Sequence, residues 1–275
     1  MTGLTLRGVS AAPSIVPSLF ERQRALALYG LATLALGLVA FVMQGVDLRT
    51  LESGVGVWVK PAKFFVSVGV FSLTCAWFFG YVRPERRSSR LMRGTVAVLI
   101  ASATFELAYI GWQAAHGLES HFNRDTVFTI VMYALMGVGA LALVSTTLPL
   151  AWEIARRPAP GLQRSFVAAV VTGLVLTFLF GGGFGVFMST QAGHAVGAEG
   201  GGVAVFGWNR LGGDLRVAHF FGIHAQQAIP LLAAVTVGAA ARTRWAVLGA
   251  GSFLYAALAV GVFVQALAGR ALIPA

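Results

Sequence analysis

Seven long apolar runs, at about residues 25–43, 61–81, 92–112, 127–148, 166–188, 215–238 and 245–267, constrain this chain more than any other feature. A run of roughly 20 apolar residues can cross a hydrocarbon layer as a helix, and inside that layer the backbone must satisfy its own N–H and C=O groups. The expectation is therefore an all-α polytopic membrane protein. It comprises an N-terminal arm (1–24) and a bundle of seven transmembrane helices (25–268), with a Gly-rich connection at 189–213 inside it. Composition agrees: 57% of residues are hydrophobic and 11% charged, against about a quarter charged in soluble domains. Cys75 stands alone, which excludes an intrachain disulfide or a cysteine metal cluster. Pro13 and Pro17 precede any long apolar run, a poor pattern for a secretory leader, so the arm is expected to be cytoplasmic.

The loops set the expected orientation. Thirteen arginines fall on the side that holds the arm, the 82–93 connection, the 149–165 connection and the 239–244 connection, while seven Lys and Arg fall on the other. Cytoplasmic loops carry the excess of Lys and Arg. This places the N-terminus in the cytoplasm and the C-terminus outside, in the cytoplasmic (inner) membrane of a bacterium. The net charge of +10 is thus a topology signal. No nucleic-acid partner is expected, because no soluble domain presents a basic cluster; the expected environment is the lipid bilayer.

All five histidines then fall on the outer half: His116, His121, His194, His219 and His224. The sixth run opens Asp214-Leu215-Arg216-Val217-Ala218-His219 and continues through His224, Gln226 and Gln227. Its polar arc, roughly 160° wide on helix geometry, is too broad for a helix lying against lipid. The third run carries Ser102, Glu106, Tyr109 and Gln113 at helical spacing, and Glu106 is the carboxylate well inside a span. The second offers Lys60, Lys63, Ser67 and Thr74 on one face, and the fourth begins Asp125, Thr126, Thr129 and Tyr133. Glu106 and His224 lie at matching depth, which allows contact without establishing it. Intramembrane charge is costly and marks function more often than structure.

These stripes are expected to meet in a cavity open to the outer side. Glu106, His224, His121 and His219 are its candidate acid–base or catalytic groups. The same four are a candidate zinc or iron set, with haem b ranking lower because His219 and His224, five residues apart, do not share a helix face. Lys60, Lys63, Tyr109, Gln113, Asn123, Trp208, Asp214, Arg216 and Gln227 are candidate substrate-binding residues. Plainer readings stand beside these: Asp214 as a helix N-cap with Arg216 at the rim, Asn123 or Asp125 capping the fourth span, and Gln226 and Gln227 bonding between helices. The 189–213 connection reads equally as a lid or re-entrant cap and as a flexible glycine linker.

Lys60-Pro61-Ala62-Lys63-Phe64, Ser120-His121-Phe122-Asn123 and Gly213-Asp214-Leu215-Arg216-Val217-Ala218-His219-Phe220 together resemble a family of uncharacterised bacterial multi-spanning membrane proteins. The resemblance spans most of the chain and implies no particular activity. A looser likeness of architecture links it to seven-span metal hydrolases of lipid amides, whose paired histidines four residues apart are missing here. The function expected from the residues is a membrane-embedded enzyme, acid–base or metal-dependent, acting on an apolar or amphipathic small molecule with an anionic group for the rim cations. The alternatives are a transporter or proton-coupled carrier, and a haem- or quinone-binding sensor or redox subunit.

Overall fold

A computed structural model describes residues 15–275. The protein is mostly helical: α1 Ile15–Val46, α2 Val59–Phe79, α3 Arg90–Ala115, α4 Val127–Ser145, α5 Thr147–Arg156, α6 Arg164–Leu176, α7 Gly183–Ser189, α8 Leu215–Ile223, α9 Ala225–Val235 and α10 Ala241–Leu267. Six stretches are long and apolar enough to cross a membrane: Ser18–Val46, Val59–Phe79, Arg90–Ala115, Val127–Arg156, Arg164–Ser189 and Ala241–Leu267. Their outward surface is apolar, as Val138, Phe253 and Leu254 show by their exposure. Of the expected arm at 1–24, residues 1–14 lie outside the described residues, and from Ile15 the chain is already helical. Gln23 breaks that helix with φ −155° and caps the longer part, its Oε1 accepting from the Ala25 N–H at 2.8 Å.

Two helix pairs are drawn together by glycine. On α1 and α2, a Cβ at Gly30 would stand 2.7 Å from Leu73 and one at Gly69 would stand 2.7 Å from Leu34, so the two helices touch along their length. The second pair is interrupted. Between α6 and α7 the Thr177–Gly182 stretch winds as a π-helix. Opposite it, the expected sixth span breaks at His224 (φ −91°, ψ 1°) into α8, nine residues, and α9, eleven residues. A Cβ at Gly222 would lie 2.6 Å from the Gly181 nitrogen, so backbone meets backbone there. The Phe221 carbonyl at the break accepts from Tyr255 Oη at 2.7 Å, and Phe220 O, which keeps its bond from the His224 N–H at 3.2 Å, also accepts from the His224 ring at 2.7 Å.

The elements gather into two ends. At one, arginines tie the loops: Arg22 donates to Trp77 O, Arg83 N to Arg157 O, Arg86 pairs with Glu153, and Gln163 reaches Val237 O. At the other, Arg49 donates to Ala115 O, Lys63 to Phe206 O, Arg124 to Gln191 O and Arg210 to Pro274 O. The α8–α9 segment runs between them. Ala195–Val196 (β1) pairs antiparallel with Gly213–Asp214 (β2) at this second end. The largest buried cluster, with Leu26, Phe79, Met92, Leu99, Ile154 and Leu174, joins α1, α2, α3, α5 and α6.

Candidate functional site

The 189–213 connection is a built cap, not a loose glycine linker. Asn209, 5% exposed, is its hub. Its Nδ2 donates to Ala198 O at 2.8 Å, its Oδ1 accepts from the Gly200 N–H at 3.0 Å, and its N–H reaches Asp214 Oδ2 at 2.9 Å. Trp208 stacks on Phe206 with centroids 4.4 Å apart and meets Phe220 edge-on. Asp214 caps α8, accepting from the Arg216 N–H at 3.0 Å, and takes the Arg216 guanidinium as an ion pair. Arg216 also donates to Gly207 O at 2.7 Å, and Lys63 to Phe206 O at 2.9 Å. Four residues expected to bind substrate (Lys63, Trp208, Asp214 and Arg216) therefore hold the cap shut. Burial pulls the Asp214 carboxyl upward, but hydrogen bonds and charge from Arg216 outweigh it and leave its pKa below the ordinary 3.8. His194, 3.8 Å from Asp214, is lowered from 6.5 by burial and by Arg216 against the pull of Asp214.

Beneath the cap, α2, α3 and α4 enclose a second group. Glu106 is 3% exposed, and its Oε1 lacks a hydrogen-bond partner. That oxygen would stand 2.8 Å from a Cβ at Gly139, so the carboxyl fits because α4 has a glycine there. The Ala140 N–H and the Lys60 ammonium lie within its electrostatic reach. Tyr109, on the same stripe, buries a hydroxyl that is also without a partner. Gln113 donates to Glu119 O at 3.0 Å and Asn123 to the same carbonyl at 3.3 Å, folding the 116–126 connection over the group. His121 bonds Ser120 Oγ through Nδ1 and packs its ring between Phe64 and Tyr133. Burial, and then Lys60, hold its pKa well below 6.5, so it is neutral at physiological pH. The cap of α4 is neither Asn123 nor Asp125 but the reciprocal pair Thr126 and Thr129.

The third group surrounds the helix break. His219 Nδ1 meets Gly181 O at 3.0 Å, and His224 Nδ1 meets Phe220 O. A carbonyl only accepts, so each Nδ1 carries a proton and donates it. Gln227 donates to Thr74 at 3.1 Å, the expected bond between helices. Gln226 is fully buried; its N–H is taken by Thr177 Oγ1 at 2.9 Å, while both side-chain amide atoms lack partners. A cavity of ≈ 20 Å³ opens here, lined by Ser67, Phe71, His224, Gln226 and Gln227 among others. That is room for one water.

Glu106 and His224 do not converge. Glu106 turns to Gly139 on α4, whereas His224 turns to Ser67 and Phe71 on α2. Among the described residues no hydrogen bond or ion pair joins them. Equal depth in sequence left the azimuth of each helix undetermined, and neighbours on different helices turn the two groups apart. The four-residue metal set fails for the same reason: His121 sits over α2 and α4, His219 against Gly181, and no three His, Cys, Asp or Glu among the described residues are grouped to hold an ion. The sequence analysis missed Asn209 and the depth of burial of Gln226. Asn209 was signalled only by the glycines around it, Gly207 before and Gly212-Gly213 after. No family model, curated protein or solved structure matches the chain.

Proposed function

We propose that the chain is a seven-crossing protein of the bacterial cytoplasmic membrane, N-terminus inside and C-terminus outside, working as a proton-coupled carrier of an amphipathic small molecule. Joined through His224, Leu215 to Val235 has the length of a crossing at 1.5 Å per residue. The arginine-rich end is the cytoplasmic one by the excess of Arg in its loops. Kinship with the bacterial multi-spanning family suggested by the Lys60–Phe64, Ser120–Asn123 and Gly213–Phe220 motifs belongs to the same proposal.

One observation carries the transport reading: two neighbouring apolar helices are interrupted at the same level, the π-helical 177–182 turn against the break at His224, in contact at Gly181 and Gly222. Discontinuous helices bring backbone dipoles and ionisable groups to mid-membrane away from lipid, which is where carriers bind coupling ions. Glu106 and His224 then act as two separate proton stations on either side of α2, with a water in the ≈ 20 Å³ cavity continuing the path from His224. The enzyme reading rested on both groups facing one hollow, and it loses that support. Zinc and iron lose theirs with the absence of a converging set of three ligands among the described residues.

The test is charge displacement after a pH jump on proteoliposomes adsorbed to a solid support. The wild-type chain is expected to give a transient proton current that Glu106→Gln abolishes and His224→Ala reduces. An unchanged current in Glu106→Gln, with the protein folded and inserted, would overturn the proposal.

A further inference from the structure

An open groove of ≈ 510 Å³ runs between α3, α5 and α6 at the arginine-rich end, lined by Leu91, Leu148, Trp152, Ala155, Val171 and Val175 among others. Its walls belong to three of the stretches apolar enough to cross a membrane, so hydrocarbon fits it. What surrounds its mouth is less ordinary. Arg90 adjoins the groove-lining Leu91 at the start of α3, and the Arg156 guanidinium lies 4.2 Å from the centroid of the Trp152 ring. Both arginines are exposed, and neither has an ion-pair partner among the described residues.

Their neighbours at that end are engaged. Arg86 and Arg157 both hold Glu153, which is 2% exposed; Arg87 donates to Val82 O and Gly80 O, and Arg22 to Trp77 O. The antiparallel bridge of Val82 to Pro158 fixes the two loops that carry these groups. Arg156 therefore stands unpaired at the rim of an apolar slot, held there by stacking on Trp152 with its N–H groups still free to donate, and Arg90 starts α3 beside the groove-lining Leu91. We propose that this groove binds an anionic phospholipid of the bilayer, one acyl chain lying along α5 and α6 and the phosphate taken by Arg156 and Arg90. A zwitterionic lipid offers the same chain, but its own ammonium offsets the phosphate. The proposal is independent of any transport activity.

Native mass spectrometry of the full chain in detergent, with phosphatidylglycerol or phosphatidylethanolamine of identical acyl composition, tests it. Each arginine near a bilayer surface is worth roughly a fivefold change in binding, so wild type is expected to retain phosphatidylglycerol at least tenfold better. Substituting both (Arg90→Gln and Arg156→Gln) should bring the two lipids level. Ala155→Trp, at an exposed position, should fill the groove and lower retention of both lipids with unchanged thermal unfolding. Arg242→Gln, at the same end but on α10, should change neither. Equal retention of both lipids by wild type would overturn the proposal, as would an Arg242→Gln loss as large as that of the double variant. So would a stable dimer that excludes lipid, which would make a second copy the occupant.

Discussion

The α1–α2 pair and the α6–α9 region use the same device and reach opposite results. Both press glycine against a neighbouring helix, but Gly30 and Gly69 meet mainly leucine side chains, whereas Gly222 meets the backbone of Phe180 and Gly181. Along α1 and α2, facing hydrophobic side chains fill the remaining space and the helices stay regular past that crossing. In the second region the helices leave the regular α ladder at two facing places, by π-winding at 177–182 and by the break at His224. Side chains serve the backbone there: Thr177 accepts from the Gln226 N–H, Tyr255 donates to Phe221 O, and His219 and His224 add bonds to Gly181 O and Phe220 O. Close glycine packing is thus a stabiliser in one pair and, in the other, the condition that lets a broken helix remain buried.

The contrast makes its largest prediction at the crossings. Gly222→Ala drives a methyl into backbone that cannot yield and should cost about 3 kcal/mol or more, whereas Gly30→Ala meets movable leucine atoms and should cost about 1–2 kcal/mol. Reversible unfolding in mixed micelles reads both, and equal losses would erase the distinction. Next comes the hydroxyl. Thr177→Val leaves the Gln226 N–H unpaired in a buried place and should cost about 1–3 kcal/mol. Thr33→Val, on regular α1, removes only bonds to Tyr29 O and Gly30 O that lie within its own helix, and should cost well under 1 kcal/mol on the same scale.

Gln226→Leu sharpens the comparison in another direction. Both amide atoms of Gln226 lack partners, so an apolar replacement should leave stability within about 1 kcal/mol of wild type, yet weaken the proton current. A variant that unfolds instead would assign Gln226 to the scaffold.

The smallest effect concerns pH. Asp214 is lowered in the fold, so the stability it contributes is present above the unfolded aspartate value of about 3.9 and is lost as pH falls through its folded value. His121 and His194 are also lowered; below about 6.5 the unfolded chain takes up protons that the folded one resists, and stability declines with them. Hydrogen-exchange protection, corrected for intrinsic rate, should therefore fall in residues 195–214 on acidification before it falls in the bridge of Val82 to Pro158. Loss in the reverse order would show that the cap is not held by these groups.

Much of the architecture is legible from hydropathy alone because the hydrocarbon layer imposes a length and a polarity on whatever crosses it. Each of the expected runs outside the sixth lies within or closely overlaps a stretch long and apolar enough to span. The sixth contained its own warning, a polar head too wide for a lipid-facing helix, but nothing in its periodicity placed the break at His224. In the fifth run Gly181-Gly182-Gly183-Phe184-Gly185 allows a bend or a close neighbour, but nothing in its composition specified the π-helical turn at 177–182. Candidate residues fared by the reach of their chemistry. The N-cap role of Asp214 and the bond from Gln227 to another helix depend on local or single-neighbour geometry, and both were among the readings open from the residues.

By itself the sequence determined which segments are apolar, which helix faces are polar, and which loops collect arginine, because spacing along a helix dictates face and composition dictates solvent. Tertiary structure alone decided which polar faces meet. Rotation of each helix about its axis is set by packing with neighbours, and here that rotation sends Glu106 toward α4, His224 toward α2, and the rim cations Lys63 and Arg216 onto the carbonyls of their own cap.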